Sequence, residues 1–112
     1  MDNIDIRNNA MIVTRLREQA ARDAIKITIH GYQEMVNDAV SMDDLRGVLM
    51  NATVLENYPE HKRGPCCLVC GRAGARYIHV VCTTSHEVAI IITVYEPKPP
   101  KWPTPFERGE RK

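Results

Sequence analysis

The chain has 112 residues, 44% of them hydrophobic and 26% charged, with a formal net charge of +1; these values describe one globular domain with a single core and exclude a disordered chain. Its longest apolar run, Val88 to Val94, is broken by Thr93 and is far shorter than the roughly 20 residues of a membrane span. The opening Met-Asp-Asn-Ile-Asp-Ile has neither the basic nor the apolar region of a signal peptide, so the expected location is the cytoplasm.

Residues 4 to 22 carry Ile4, Ala10, Met11, Val13, Leu16, Ala20 and Ala21 among charges, a pattern that predicts an amphipathic helix. Lys26 to Ile29 is β-prone but short, either a brief strand or the lead into the next helix. From His30 to Ala39, the positions Tyr32, Met35, Val36 and Ala39 share one helical face by three- and four-residue spacing. Ser41 opens a capping box with Asp44, and Met42, Leu45, Val48 and Leu49 form the apolar stripe of a third helix.

From Thr53 the period changes to two, which predicts four antiparallel strands over about 53 to 58, 65 to 72, 75 to 83 and 87 to 95. The intervening turns, rich in Gly, Pro and small polar residues, are short enough for a meander. After Tyr95 come Pro97, Pro99, Pro100, Pro103 and Pro105, so this segment reads as an extended tail that cannot be a central strand. The fold class expected is therefore α+β, with N-terminal helices packed on one face of a four-stranded antiparallel meander sheet. A helix over 1–24, a core over 25–96 and a proline-rich tail over 97–112 make up the single domain.

Charge divides unevenly along this plan. Residues 1–60 hold six Lys and Arg against ten Asp and Glu, whereas 61–112 hold nine against four. The basic half suits a polyanion or an acidic protein partner, although scattered charge is more often a solvated face.

Strand alternation sets Tyr77, His79 and Val81 on one face with Cys66, Leu68 and Cys70, and Arg76, Ile78 and Val80 on the other with Cys67 and Val69. A four-residue turn at 83 to 86 brings Arg76 near Thr93 and Tyr95, and one residue of slip in that turn reverses the assignment. Strand 87 to 95 is apolar on both faces, so either the tail or a second copy of the chain should cover the second one. The cysteines Cys66, Cys67, Cys70 and Cys82 read as free thiols packed like small hydrophobes. On a strand rising about 3.3 Å per residue, Cys66 and Cys70 stand roughly 13 Å apart, too far to share a zinc ion. No metal and no cofactor is expected.

The ordered elements Ile27-Thr-Ile-His30, Ser41-x-x-Asp44-Leu45, Val54-Leu-Glu-Asn-Tyr-Pro59, Gly64-Pro-x-Cys67-Leu-Val-x-Gly-Arg72, Ile78-His-Val-Val81, Ile92-Thr-Val-Tyr-Glu-Pro97 and Lys101-Trp102 resemble the bacterial family catalogued as domain of unknown function 4258. Its members look like relatives of the RelE and BrnT toxins. The resemblance spans roughly residues 25 to 106. It implies the toxin component of a toxin–antitoxin module, a metal-independent endoribonuclease that acts on RNA or at the ribosome and is neutralised by a small antitoxin, in several members of a zinc-finger type. The family helix typically reads His-Ala-x-x-Arg-Met-x-x-Arg, whereas this chain has Glu34 and Asp38 where the family is basic.

Such cleavage needs proton transfer at the 2′-hydroxyl and the 5′-oxygen, and cations for the phosphorane charge. His30, His79 and Tyr95 are the candidates for proton transfer; Arg76, with Arg72 and Lys101, for charge. Trp102 beside Lys101 is suited to stack on a base. Each has a plainer alternative: a helix-capping His30, a sheet-bound His79, a Tyr95 packed under the tail, an Arg76 that snorkels to the sheet edge, and a Trp102 that anchors the tail. The runner-up function is a non-catalytic protein-binding module of the same fold.

Overall fold

A computed structural model of the chain describes residues 8–109. Three helices, α1 (Asn9–Ala21), α2 (Ile29–Asn37) and α3 (Met42–Met50), accompany five strands: β1 (Ile25–Ile27), β2 (Thr53–Tyr58), β3 (Cys66–Ala73), β4 (Arg76–Thr83) and β5 (Ala89–Tyr95). The part of the predicted first helix before residue 8 lies outside the described residues. Among the described residues, no helix is long and apolar enough to cross a membrane.

Each helix starts on a polar side chain that accepts a backbone N–H of the first turn: Asn8 for α1, Thr28 for α2 and Ser41 for α3, the last in the expected reciprocal box with Asp44. Leu45, Val48 and Leu49 of α3 are fully buried as predicted, and Ile12, Leu16 and Ala20 supply the buried stripe of α1. α2 departs from its apolar pattern. Met35 alone of the predicted stripe faces the core, while Tyr32 and Val36 are 60% and 63% exposed, as is Ile29 at 79%.

The sheet is mixed, with five strands in the order β1-β5-β4-β3-β2, and so corrects the expected four-stranded antiparallel sheet. The short Lys26 to Ile29 segment contributes the fifth strand, β1, which runs parallel to β5. Ile25, Lys26 and Ile27 pair with Ala89, Ile90 and Ile91, and a backbone bond at each end extends the ladder. The Ala89 N–H donates to the Ala24 carbonyl at 2.9 Å, and the Thr28 N–H to that of Ile91 at 3.0 Å. One sheet face, with Cys67, Val69, Ile78, Val80, Cys82, Ala89, Ile91 and Val94, packs against all three helices to form the core. α3 lies so close to β3 that a Cβ on Gly71 would meet the Val48 carbonyl oxygen at 2.4 Å, so no larger residue fits at that crossing.

A β-bulge decides the other face. β4 pairs with β5 through His79↔Tyr95, Val80↔Val94 and Val81↔Thr93, and then slips so that Cys82 faces Ile91, leaving Ile92 unpaired. Burial in β5 follows this slip: Ala89 and Ile91 point into the core before the bulge, and Val94 after it. The expected neighbourhood of Arg76 with Thr93 and Tyr95 is therefore overturned, because the extra residue of the bulge turns Thr93 and Tyr95 to the opposite face. Tyr95 shares its face with His79, opposite Arg76.

That second face is covered by residues 97–109, which fold back rather than extend away. The Trp102 N–H donates to the Lys98 carbonyl at 3.0 Å and the Gly109 N–H to that of Lys101 at 2.7 Å. Beneath this segment Cys66, Leu68, Cys70 and His79 are buried, and the segment's own Trp102 is buried against them.

Candidate functional site

The tail-side face gathers the polar groups that the strands project from it. Alternation puts Glu56 and Tyr58 of β2, His79 of β4 and Tyr95 of β5 on this side. The tail adds Trp102, Pro105 and Arg108. His79 lies fully buried at the centre. Its Nε2 is 2.7 Å from the Pro105 carbonyl oxygen, and its Nδ1 is 3.1 Å from the Tyr95 hydroxyl. A carbonyl only accepts, so Nε2 carries the proton. Burial depresses the His79 pKa below the ordinary 6.5, against the opposing pull of the Pro105 carbonyl and Glu56. The imidazole is thus neutral, Nδ1 is an acceptor, and the Tyr95 O–H donates to it.

Trp102 stands edge-on to the His79 ring at 4.4 Å between centroids, and the Arg108 guanidinium lies 4.8 Å over the Trp102 ring. Arg108 also donates to both oxygens of Glu56, from Nε at 3.0 Å and from Nη2 at 2.8 Å. Tyr58 donates its hydroxyl to the same carboxylate. Burial raises the pKa of Tyr95, while the nearby Trp102 indole N–H and Arg108 favour its ionised form. The Trp102 Nε1 is buried without an acceptor in hydrogen-bonding geometry. A half-buried hydroxyl, held by a neutral histidine beside a bidentate Arg–carboxylate pair, can take up or give a proton at a neighbouring oxygen.

Of the sequence-predicted residues, His79, Tyr95 and Trp102 come together, and the charge of Lys101 reaches His79. Arg72 stands exposed on the same face, 5.5 Å over the ring of Tyr77. Arg76 and His30 are elsewhere. The Arg76 guanidinium donates to the carbonyls of Asp38 and Ala39, both at 2.8 Å, and so closes the C-terminal end of α2; Glu96 and Asp44 are at 3.4 and 3.6 Å. His30 is on the outer face of α2, 3.3 Å from Glu34. Glu56, Tyr58 and Arg108 were missed by the sequence reading. The available signal was the Glu-x-Tyr spacing, which sets both side chains on one face of a strand.

The acidic residues of α2 have a structural role. Past the end of β1 the outer edge of β5 has no strand partner among the described residues, and the N–H groups of Val94 and of Glu96, just after the strand, donate to the carboxylates of Glu34 and Asp38, each at 2.9 Å. Cys67 faces Cys82 across the β3–β4 hairpin, and all four thiols are free. Burial pushes Cys66 and Cys70 up to about 11, and Cys82 is also raised, so these thiols stay protonated. Among the described residues, no group of three or more His, Cys, Asp and Glu side chains is placed to hold a metal ion.

A family model described as a domain of unknown function, DUF4258, matches residues 27–96. The chain belongs to this family. No curated protein and no solved structure matches it. The matched DUF4258 region runs from the end of β1 through β5, so it includes Glu56, His79 and Tyr95, while Trp102 and Arg108 come from beyond it.

Proposed function

We propose that this DUF4258 member is the toxin component of a toxin–antitoxin module, with a RelE/BrnT-like fold, cleaving RNA without a metal and neutralised by a small antitoxin protein. One observation carries the reading: the Tyr95 hydroxyl bound to the neutral Nδ1 of His79 beside Arg108. As the 2′-hydroxyl proton passes to the Tyr95 oxygen, the Tyr95 proton passes to Nδ1. The 2′-oxygen attacks phosphorus, and its negative charge is met by Arg108 and Lys101. The relay then runs backwards, returning the proton through Tyr95 to the departing 5′-oxygen. The products are a 2′,3′-cyclic phosphate and a free 5′-hydroxyl, so protons and charge balance without a cofactor.

His79 touches no substrate in this scheme and is a positioning residue. Expression of the wild-type chain should arrest bacterial growth, and co-expression of a small protein encoded by the adjacent gene should relieve it. Arrest that persists undiminished in Tyr95→Phe rules out this chemistry.

The second reading, a non-catalytic protein-binding module, is favoured by the exposed Ile29, Tyr32 and Val36 on one face of α2. It predicts a wild-type protein that neither arrests growth nor cuts RNA, and binds a partner that Val36→Glu releases.

A further inference from the structure

We infer that Phe106, Tyr77 and Arg72 form a stacking subsite for one base of single-stranded RNA, an inference that rests on the RNA-cleaving reading and adds a binding step to it. Phe106 is 46% exposed although it follows directly on the tail residues that seal the sheet. It meets Tyr77 edge-on, with ring centroids 5.3 Å apart and planes at 77°. Arg72, the register partner of Tyr77, holds its guanidinium 5.5 Å from the centre of the same ring. Its only side-chain hydrogen bond among the described residues is to the Gly74 carbonyl at 3.3 Å.

An exposed aromatic face flanked by a cation is the arrangement that accepts a nucleobase by stacking and its phosphate by charge. The position suits the proposed chemistry. Tyr77 lies two residues from His79 on the same strand and face, about 7 Å away at strand rise, the spacing of neighbouring nucleotides in an extended chain. A base on Phe106 would set the adjoining phosphodiester near Tyr95 and Arg108.

Binding of a fluorescein-labelled 2′-O-methyl oligouridine, which cannot be cleaved because its 2′-oxygens are blocked, tests this by anisotropy at fixed salt. Phe106→Leu, which keeps an apolar contact with Tyr77, should weaken binding about tenfold, and Phe106→Trp should restore it. Arg72→Ala should weaken binding and reduce its salt dependence by about one ion. Replacing one uridine by an abasic unit should cost the wild type affinity and cost Phe106→Leu none. Wild-type protein that fails to bind the oligomer, or equal binding by wild type and Phe106→Leu, overturns the inference. Tight, Phe106-dependent binding by a protein that cuts no unmodified RNA would instead sink the enzymatic reading and leave the subsite standing.

Discussion

Arg76 and Arg108 stand on opposite sides of one sheet and meet different acceptors. Arg76 donates to two main-chain carbonyls at the end of α2 and so ties β4 to the helix terminus. Arg108 donates to a side-chain carboxylate, that of Glu56, in a largely buried pair, where a phosphate can compete for the same fork of donors. The contrast extends to their carboxylates. Glu34 and Asp38 close a strand edge, whereas Glu56 is shared between Arg108 and Tyr58. The helix side holds the fold together, and the tail side carries the proposed chemistry.

Substitutions can break that division. The largest stability effect should come from Arg76→Ala, a loss of about 3 kcal/mol in urea unfolding. RNA cleavage per folded molecule should be unchanged, and a selective loss of cleavage would move Arg76 into the site. Glu34→Ala should cost about 2 kcal/mol, because a buried edge amide loses its charged acceptor; an unchanged midpoint would show that water replaces it freely. Acid should act more gently and through the tail side. The folded-state pKa of His79 lies below its unfolded value, so the unfolded chain binds the extra proton first. Stability should therefore fall as pH drops from 6.5 towards the folded pKa, and His79→Phe should remove that part of the slope. Asp44, lowered by its bonds to Ser41, adds its own loss only near and below the ordinary carboxylate value of 3.8. The smallest effect belongs to His30→Ala, within about 0.5 kcal/mol, since only an exposed pair with Glu34 is lost.

Much of this arrangement was legible from the chain. Alternation assigned Cys70 and His79 to one face and Val69 and Val80 to the other, and these groupings hold across the tight turn at Gly74-Ala75. Ser41 and Asp44 declared their helix start through side-chain chemistry that acts over three residues. The failures are non-local. The bulge at Ile92 has no strong sequence mark, and a single extra residue there moves Tyr95 from the side of Arg76 to that of His79. The apolar pattern of α2 misled because Tyr32, Val36 and Ala39 face away from the core. Glu56 and Arg108 are 52 residues apart, and nothing in either segment announces the other. Glu34 and Asp38, which read as lost basic groups, take their meaning from an unpaired strand edge that only the assembled sheet reveals.

The central claim is that the Tyr95–His79 pair moves the proton in RNA cleavage, and the most direct test is end-group analysis of a single-stranded RNA incubated with purified, antitoxin-free protein in EDTA. The account predicts 2′,3′-cyclic phosphate ends from the wild type, a loss of at least about 100-fold in Tyr95→Phe, and undiminished cleavage in folded Arg76→Ala. Cleavage by Tyr95→Phe at the wild-type rate would contradict it.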